Sequence, residues 1–436
     1  MSTSTKTSQA EATSPRAAKR SCVSTLKQQA SPKRQTASKC QPATKLLNLI
    51  PSRNTTKGKL YICGTGDCEQ LGKPENVIEL RRPAMLDLSG RNFVDIACGG
   101  LHTLALTEEG ELYSWGCNDE GALGRVSEEF LPGVVTFKDN IDIVQLAAGD
   151  SFSAVLTSTG EIYIWGAFRT STGLLGFVNQ PDVKQTTPVK LVPSGAPVQF
   201  TKLAAGNNHL LALTTVGTIY AVGDNEAGQL GLRMSPRKFG PTQGLYPFSL
   251  HLKDIIDIAA GGYHSFATSK TGKVYAWGQN NFYQCGVPMS ASEAEVKLSA
   301  PTFSKCLSGL SPIQTIAAGE HHTLILTSNS SLYGIGRSDS HQLGVELSDV
   351  WTSSKTAVKE PQLIPGIAPL DIASGSNHCL AIEDDRTLSW GYGESYALGH
   401  DIDADEAVPT VIESLSGRKV IKVSAGGHHS VFLVQL

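Results

Sequence analysis

Six histidines stand at the same place in a phrase that returns along the chain: His102, His209, His264, His322, His378 and His429. Imidazole is a common metal ligand and titrates near neutral pH, so a set of them first suggests a metal centre or a proton-transfer site. Their spacing argues otherwise. Equivalent residues of a repeat lie one per structural unit, too far apart to share an ion held at about 2.0–2.1 Å. The expectation is a structural role, with each imidazole hydrogen-bonding backbone at a junction between units. Two of the six follow a second histidine, His321 and His428, which leaves one ring of each pair free for a partner. No metal and no cofactor are expected.

Other chemistry finds little support. There is no Gly-x-Ser-x-Gly elbow and no serine or cysteine beside an evident base. No Gly-x-x-x-x-Gly-Lys-Ser/Thr loop is present to cradle nucleotide phosphates, and Gly64-x-Gly66 lacks the third glycine of a dinucleotide fingerprint. Nine scattered cysteines form no Cys-x-x-Cys pair and read as reduced, packed thiols. Polar departures from the repeat are more informative. Asp67 lies in a first turn, Asp150 follows a repeat glycine, and Asn207 and Asn208 occupy the same stretch one repeat later. All should gather at the histidine end of the repeats, although a lone acid in a turn is more often a turn former than a functional group.

The element that must position these residues is a seven-fold repeat. Small-Ala-Gly-x-x-His, followed by an apolar strand, is anchored at Gly99, Gly149, Gly206, Gly261, Gly319, Gly375 and Gly426, with Phe152 replacing the second histidine. Such a period signals a repeat architecture. A Tyr-x-x-Gly phrase, opening at Tyr61, Tyr113, Tyr163, Tyr220, Tyr275, Tyr333 and Leu388, interleaves with it. Turns such as Thr107–Gly110 join the two phrases, giving strand, turn, strand. Seven units of about four strands predict an all-β fold, a seven-bladed β-propeller over residues 60–436. The chain enters on one half-unit and leaves on the other, so the C-terminal strands should complete the blade begun near Leu60. A β-helix or solenoid is the structural rival. The third copy of the second phrase, from Trp165 to Gly176, carries extra residues within Ala167–Gly173. That enlarged loop should project from one rim, where Phe168 and Arg169 suit insertion into a partner; the plain alternative is a tolerated surface insertion.

Charge divides the chain. The net charge of −3 combines a basic segment, residues 1–59, with an acidic remainder, which suggests two electrostatically opposite partners. The basic segment is rich in Ser, Thr, Gln and Ala, and is expected to stay disordered. Arg16, Lys19 and Arg20 followed by Lys33 and Arg34 have the spacing of a two-cluster nuclear import signal, and the same bases suit DNA phosphates. Ser14-Pro15 and Ser31-Pro32 adjoin them, where phosphorylation would cut the positive charge. No run of about 18 apolar residues marks a membrane span, and the N-terminus carries no apolar core of a secretory signal.

Together the two phrases, the stretch Cys117–Arg125, Ala148–Ser151 and the Trp165–Arg169 loop resemble the regulator of chromosome condensation family, guanine-nucleotide exchange factors for the small GTPase Ran. The resemblance covers residues 60–436 and extends to a basic tail. It implies a nuclear, chromatin-associated factor that releases bound nucleotide and makes or breaks no covalent bond. The enlarged loop would be a β-wedge, here Phe168, Arg169, Thr170, Ser171, Thr172 and Gly173. Family residues facing Ran carry over to Asp67, His102, Asp150, Asn207, His209, Arg233, His322 and His429. Asn208 stands where the family has an acid, keeping a hydrogen-bonding group but losing a charge. Implied partners are Ran, nucleosomal histones and DNA through tail and basic loops, and an import receptor through the tail, with no membrane. A propeller adaptor or sensor without exchange activity is the alternative, and a propeller lyase or hydrolase is a weaker one.

Overall fold

The computed structural model describes residues 46–435 apart from residue 75 and stretches 127–130, 178–182, 194–196, 233–241, 249–251, 290–296 and 347–356; side chains of 242–248 are also left out. Seven four-stranded antiparallel sheets follow one another along the chain. Blade 1 joins the chain's two ends. Lys59–Thr65 and Glu79–Leu86 form its outer half, and Val420–Ala425 and His429–Val434 its inner half. The pairing runs from Lys59 opposite Val434 to Gly64 opposite His429. Blades 2 to 7 begin at Phe93, Ile143, Phe200, Ile255, Ile313 and Asp371. The propeller and its closure are as the repeat predicts, and a solenoid is excluded.

Each second strand, such as His102–Thr107 or Phe152–Thr157, is buried at every position. Both faces of that strand meet a neighbouring blade, so the sequence reads as a continuous apolar run rather than an alternation. The core is correspondingly divided among the blade junctions. One cluster joins blades 3 and 4 through Phe152, Ile164, Leu210 and Val222, and another joins blades 7 and 1 through Leu380, Ile382, Phe432 and Val434. The Trp-Gly dipeptides add a polar tie. Trp115, Trp165, Trp277 and Trp390 are fully buried, and each indole N–H donates to a carbonyl of the preceding blade, as Trp165 does to Ala122 O at 2.7 Å.

Backbone hydrogen bonds also circle the axis. Gly100 donates to Gly149 O, Asp150 to Asn207 O, Asn207 to Gly262 O, Gly262 to Gly319 O, Glu320 to Ser376 O, Ser376 to Gly426 O, and Gly427 back to Gly100 O, all at 2.8–3.2 Å. The preceding repeat glycine permits this close approach. A Cβ on Gly426 would lie 2.7 Å from Gly99 O, closer than any relaxed contact.

Ordered contacts with the propeller begin before residue 59. Residues 46–58 cross the end of the ring formed by the tight turns. Leu47 N–H donates to Thr215 O at 2.8 Å, and Asn48 Nδ2 donates to Thr214 O and Ile255 O at 3.1 and 3.0 Å. Arg53 reaches Ile143 O and the carboxylate of Asp142, and Asn54 reaches Val94 O. Basic composition made this stretch look like tail; its Asn, Arg and backbone groups instead satisfy turn carbonyls. Arg16, Lys19, Arg20, Lys33 and Arg34 lie outside the described residues.

Candidate partner-binding face

The other end of the ring carries the candidate residues. His102 pairs with Gly116 at the end of the next strand, as His209 does with Gly223 and Phe152 with Gly166. The Ala-Gly-x-x turns and the loops after each Trp-Gly therefore share one face.

The histidines form a relay between blades rather than a surface. Ser153 Oγ donates to Ala122 O at 2.8 Å, and His102 Nε2 lies 2.8 Å from that hydroxyl. With the hydroxyl proton committed, the ring nitrogen is the donor. The same arrangement links His209 to Ser265, His264 to Thr323 and His378 to Ser430. His429 meets Thr103 at 2.9 Å, and His322 meets Ser374 Oγ and Cys379 Sγ at 2.7 and 3.1 Å. Two expectations are corrected here. The partners of the Nε2 atoms are side chains of the next blade, not backbone. His102, His209, His322 and His429, which the resemblance turns toward a partner, are also buried to within 1%, their rings enclosed in the blade junctions. Burial pushes His102 down to about 4 and His209, His322 and His429 down to about 3, which keeps the rings neutral. Among the described residues, no cluster could hold a metal ion. Of the preceding pair, His428 is exposed, whereas His321 stacks on Tyr263 with ring centres 5.8 Å apart.

The relay breaks at one junction in a matched way. Blade 3 has Phe152 in the histidine slot, and blade 4 has Leu210 where its neighbours have Ser, Thr or Cys. Both are fully buried in one cluster. This apolar joint is also the root of the enlarged loop. Phe168 is fully buried, 4.6 Å from Phe152 and 4.8 Å from Phe177 between ring centres. Phe168 is therefore not an exposed wedge residue; the phenylalanine pocket created at Phe152 takes it into the core.

Beyond that root the loop is a β-hairpin in which Phe168–Thr170 pairs with Gly173–Leu175. Gly173 adopts φ +127°, a conformation that favours glycine. Arg169, Ser171, Thr172 and Gly173 are exposed and Thr170 half-buried. The hairpin is braced on both sides. Arg169 forms an ion pair with Glu120 of blade 2, and its N–H donates to Asn208 Oδ1 of blade 4 at 2.6 Å. Ser171 donates to Glu226 of blade 4 from Oγ at 2.5 Å and from N–H at 3.2 Å. Asn208, where the resemblance implies an acid facing a partner, here holds the hairpin.

Beside the hairpin lies the axial opening, a cavity of about 100 Å³ lined by Asp150, Asn207, Glu320 and Ser376 among the repeat glycines. It is too small for a nucleotide, since ligand pockets run to about 300–1,000 Å³. Burial raises the pKa of Asp150, opposed by Arg169. Burial likewise raises Glu320, opposed by Arg337 and reinforced by Asp150, and raises Asp224. The electrostatic reach of Asp150 to Glu320 across the ring makes this an acidic mouth. Asp67 is exposed in its turn; Arg233 lies outside the described residues. Sequence reasoning missed Glu120, Asp224, Glu226, Tyr263 and Glu320. Glu320 was detectable, because it occupies the Asp150 position of its own repeat. The contacts of Glu120 and Glu226 depend on which way the hairpin leans, which no local pattern encodes.

The RCC1-like domain family matches residues 59–432. The regulator of chromosome condensation of Homo sapiens is 35% identical over 88% of this chain and 92% of its own length. The guanine nucleotide exchange factor SRM1 of Saccharomyces cerevisiae is 34% identical over 85% of this chain and 86% of its own. The crystal structure of Prp20p from Saccharomyces cerevisiae, described with its binding to Gsp1p and histones, superposes with TM-score 0.80 at 33% identity, covering 89% of this chain and 93% of that one. Yeast RCC1 (Prp20) bound to Kap60 gives TM-score 0.81 at 31% identity, covering 94% and 97%.

Proposed function

This chain belongs to the RCC1-like family, and we propose from that premise that it is a guanine-nucleotide exchange factor for a Ran-type GTPase, acting in the nucleus on chromatin. The relatives named for exchange, Gsp1p and histone binding support the general role. The observation that carries the mechanism is the hairpin on blade 3, whose turn Ser171–Gly173 is exposed and whose Arg169 acts electrostatically on Asp150 of the acidic mouth.

GTPases hold nucleotide through backbone amides, a lysine and Mg²⁺. A polar hairpin tip pressed into that site competes for the phosphate-binding loop, while Asp67, Asp150 and Glu320 offer carboxylates to basic groups around it. Factor and nucleotide then weaken each other's binding by the same ratio, as linkage requires. Release and rebinding are both accelerated, and no covalent bond changes. The acidic surface also speeds encounter with a basic GTPase face. The role of the braced hairpin is to meet the GTPase already ordered, so that little binding energy is lost to fixing it.

Residues 1–45 supply the second half of the proposal. Their paired basic clusters suit an import receptor, consistent with Kap60 binding by the yeast relative, and their scattered bases suit DNA and nucleosomes. The test is release of labelled GDP from purified Ran. Acceleration at nanomolar to micromolar protein is expected; none at micromolar protein overturns the reading.

A further inference from the structure

The hairpin tip carries one contact whose geometry exceeds ordinary surface decoration. Glu226 belongs to the loop after Gly223 in blade 4, whereas Ser171 belongs to blade 3. One carboxylate oxygen accepts Ser171 Oγ–H at 2.5 Å and the other accepts the Ser171 backbone N–H at 3.2 Å. Both oxygens thus engage one residue, through side chain and main chain together. Charge-assisted bonds of this length are among the stronger kinds, and a two-point grip fixes direction as well as distance.

The rest of the hairpin needs such a grip. Its root is secured by Phe168, and Arg169 is held by Glu120 and Asn208. Beyond Arg169, among the described residues, Thr170 Oγ1 bonds within the turn, to Thr172 and to Gly173 O. The tie from the turn to another blade therefore runs through Glu226. Glu226 is itself anchored, because its N–H donates to Asp224 Oδ1 at 3.0 Å while Asp224 Oδ2 accepts from the fully buried Gln229 at 2.7 Å. The chain of contacts runs from a buried amide in blade 4 to the exposed tip of blade 3.

We propose that Glu226 is a positioning residue for exchange: it sets the attitude of the hairpin tip and acts through Ser171. The proposal rests on the exchange-factor reading. Removing the grip lets the tip swing, so the GTPase still docks on the acidic face while fewer encounters displace the nucleotide. The cost falls on kcat and spares KM.

The experiment compares Glu226→Ala, Glu226→Gln, Ser171→Ala and the double variant E226A/S171A in steady-state GDP release, using the full chain. E226A should lower kcat about tenfold with KM changed less than twofold. E226Q should recover most of the loss, since an amide oxygen still accepts one of the two bonds. The double variant should be no slower than E226A, because two partners in one contact are not additive. Hydrogen exchange should show the Ser171 amide losing protection in E226A, a readout independent of Ran. A loss confined to KM would make Glu226 a direct GTPase contact and overturn the proposal, as would unchanged kcat or an unchanged Ser171 amide. A wild-type protein that fails to accelerate release refutes the exchange reading instead.

Discussion

His429, in the last strand, has its Nε2 2.9 Å from Thr103 Oγ1 of blade 2, so blade 1 is joined to blade 2 by the kind of imidazole–hydroxyl hydrogen bond that links most other neighbours. The closing junction thus carries the imidazole tie that the apolar joint of blades 3 and 4 lacks. Replacing His429 with Ala would leave a cavity and an unpaired buried hydroxyl, a cost of about 2–4 kcal/mol. Urea denaturation should show a lower midpoint of that order, and a loss under 0.5 kcal/mol would refute a bonding role at this junction.

The buried imidazoles predict how stability depends on pH. His102 and His378 are held down to about 4 and His209, His322 and His429 to about 3, against about 6.5 in an unfolded chain. The unfolded state therefore binds more protons below 6.5. Stability is complete above that value and falls as pH drops toward the folded pKa values, by up to about 1.4 kcal/mol per pH unit for each ring. Several rings acting together would exhaust a typical stability of about 5–15 kcal/mol within about two or three pH units. Cooperative unfolding between about pH 5.5 and 3.5 is expected by circular dichroism; a flat response to pH 3.5 contradicts it.

The hairpin's root and tip should separate in mutagenesis. Phe168→Ala empties a buried aromatic site and should cost about 3–5 kcal/mol. Exchanging Ser171 and Thr172 for glycine touches no core and should leave thermal unfolding within about 1 °C while slowing GDP release at least tenfold. The opposite pattern, a fragile tip and a silent root, would displace the hairpin from the mechanism.

At the apolar joint the two swapped positions should compensate. Phe152→His alone places an imidazole against Leu210, with no hydroxyl to receive its N–H, and also weakens the Phe168 pocket. Adding Leu210→Ser restores the relay pair found at the other junctions. The double variant should regain about 1 kcal/mol or more over F152H, measured by a double-mutant cycle. Strict additivity would mean that the match between Phe152 and Leu210 is not a coupling.

Truncations should divide the first 58 residues in two. Removing 1–45 should leave the melting temperature unchanged and weaken retention on nucleosomes. Extending the deletion through Lys57 strips the bonds of Asn48, Arg53 and Asn54 to the turns and should lower melting by several degrees. Equal melting of both truncations would show that the strap contributes nothing.

Much of this was legible in advance because repeats are self-checking. Seven glycines before a ring-facing turn, four Trp-Gly pairs and half-units at both ends favoured a closed propeller over a solenoid. The same regularity gave His102, His209, His322 and His429 a structural role at the blade junctions, where they are buried; it was the resemblance to a known family that turned them toward a partner. The Phe152 and Leu210 exchange was visible as two separate irregularities. Only the packing of blade 3 on blade 4 brings them into one cluster. The stretch 46–58 was hidden because asparagine, arginine and backbone groups carry no sign of which carbonyls they will meet, and the grip on Ser171 because it joins loops from two blades.

The shared first blade has a consequence for biosynthesis. Lys59–Thr65 leaves the ribosome early, yet its inner partner, His429–Val434, follows only after the six other blades. At about 5–20 residues per second, that edge waits for about 20–70 seconds without its mate, an interval in which an unpaired strand invites pairing with another chain. A nonsense codon anywhere before His429 would make that wait permanent, so loss of this one strand should send the product to chaperones and degradation rather than yield a slightly shortened protein.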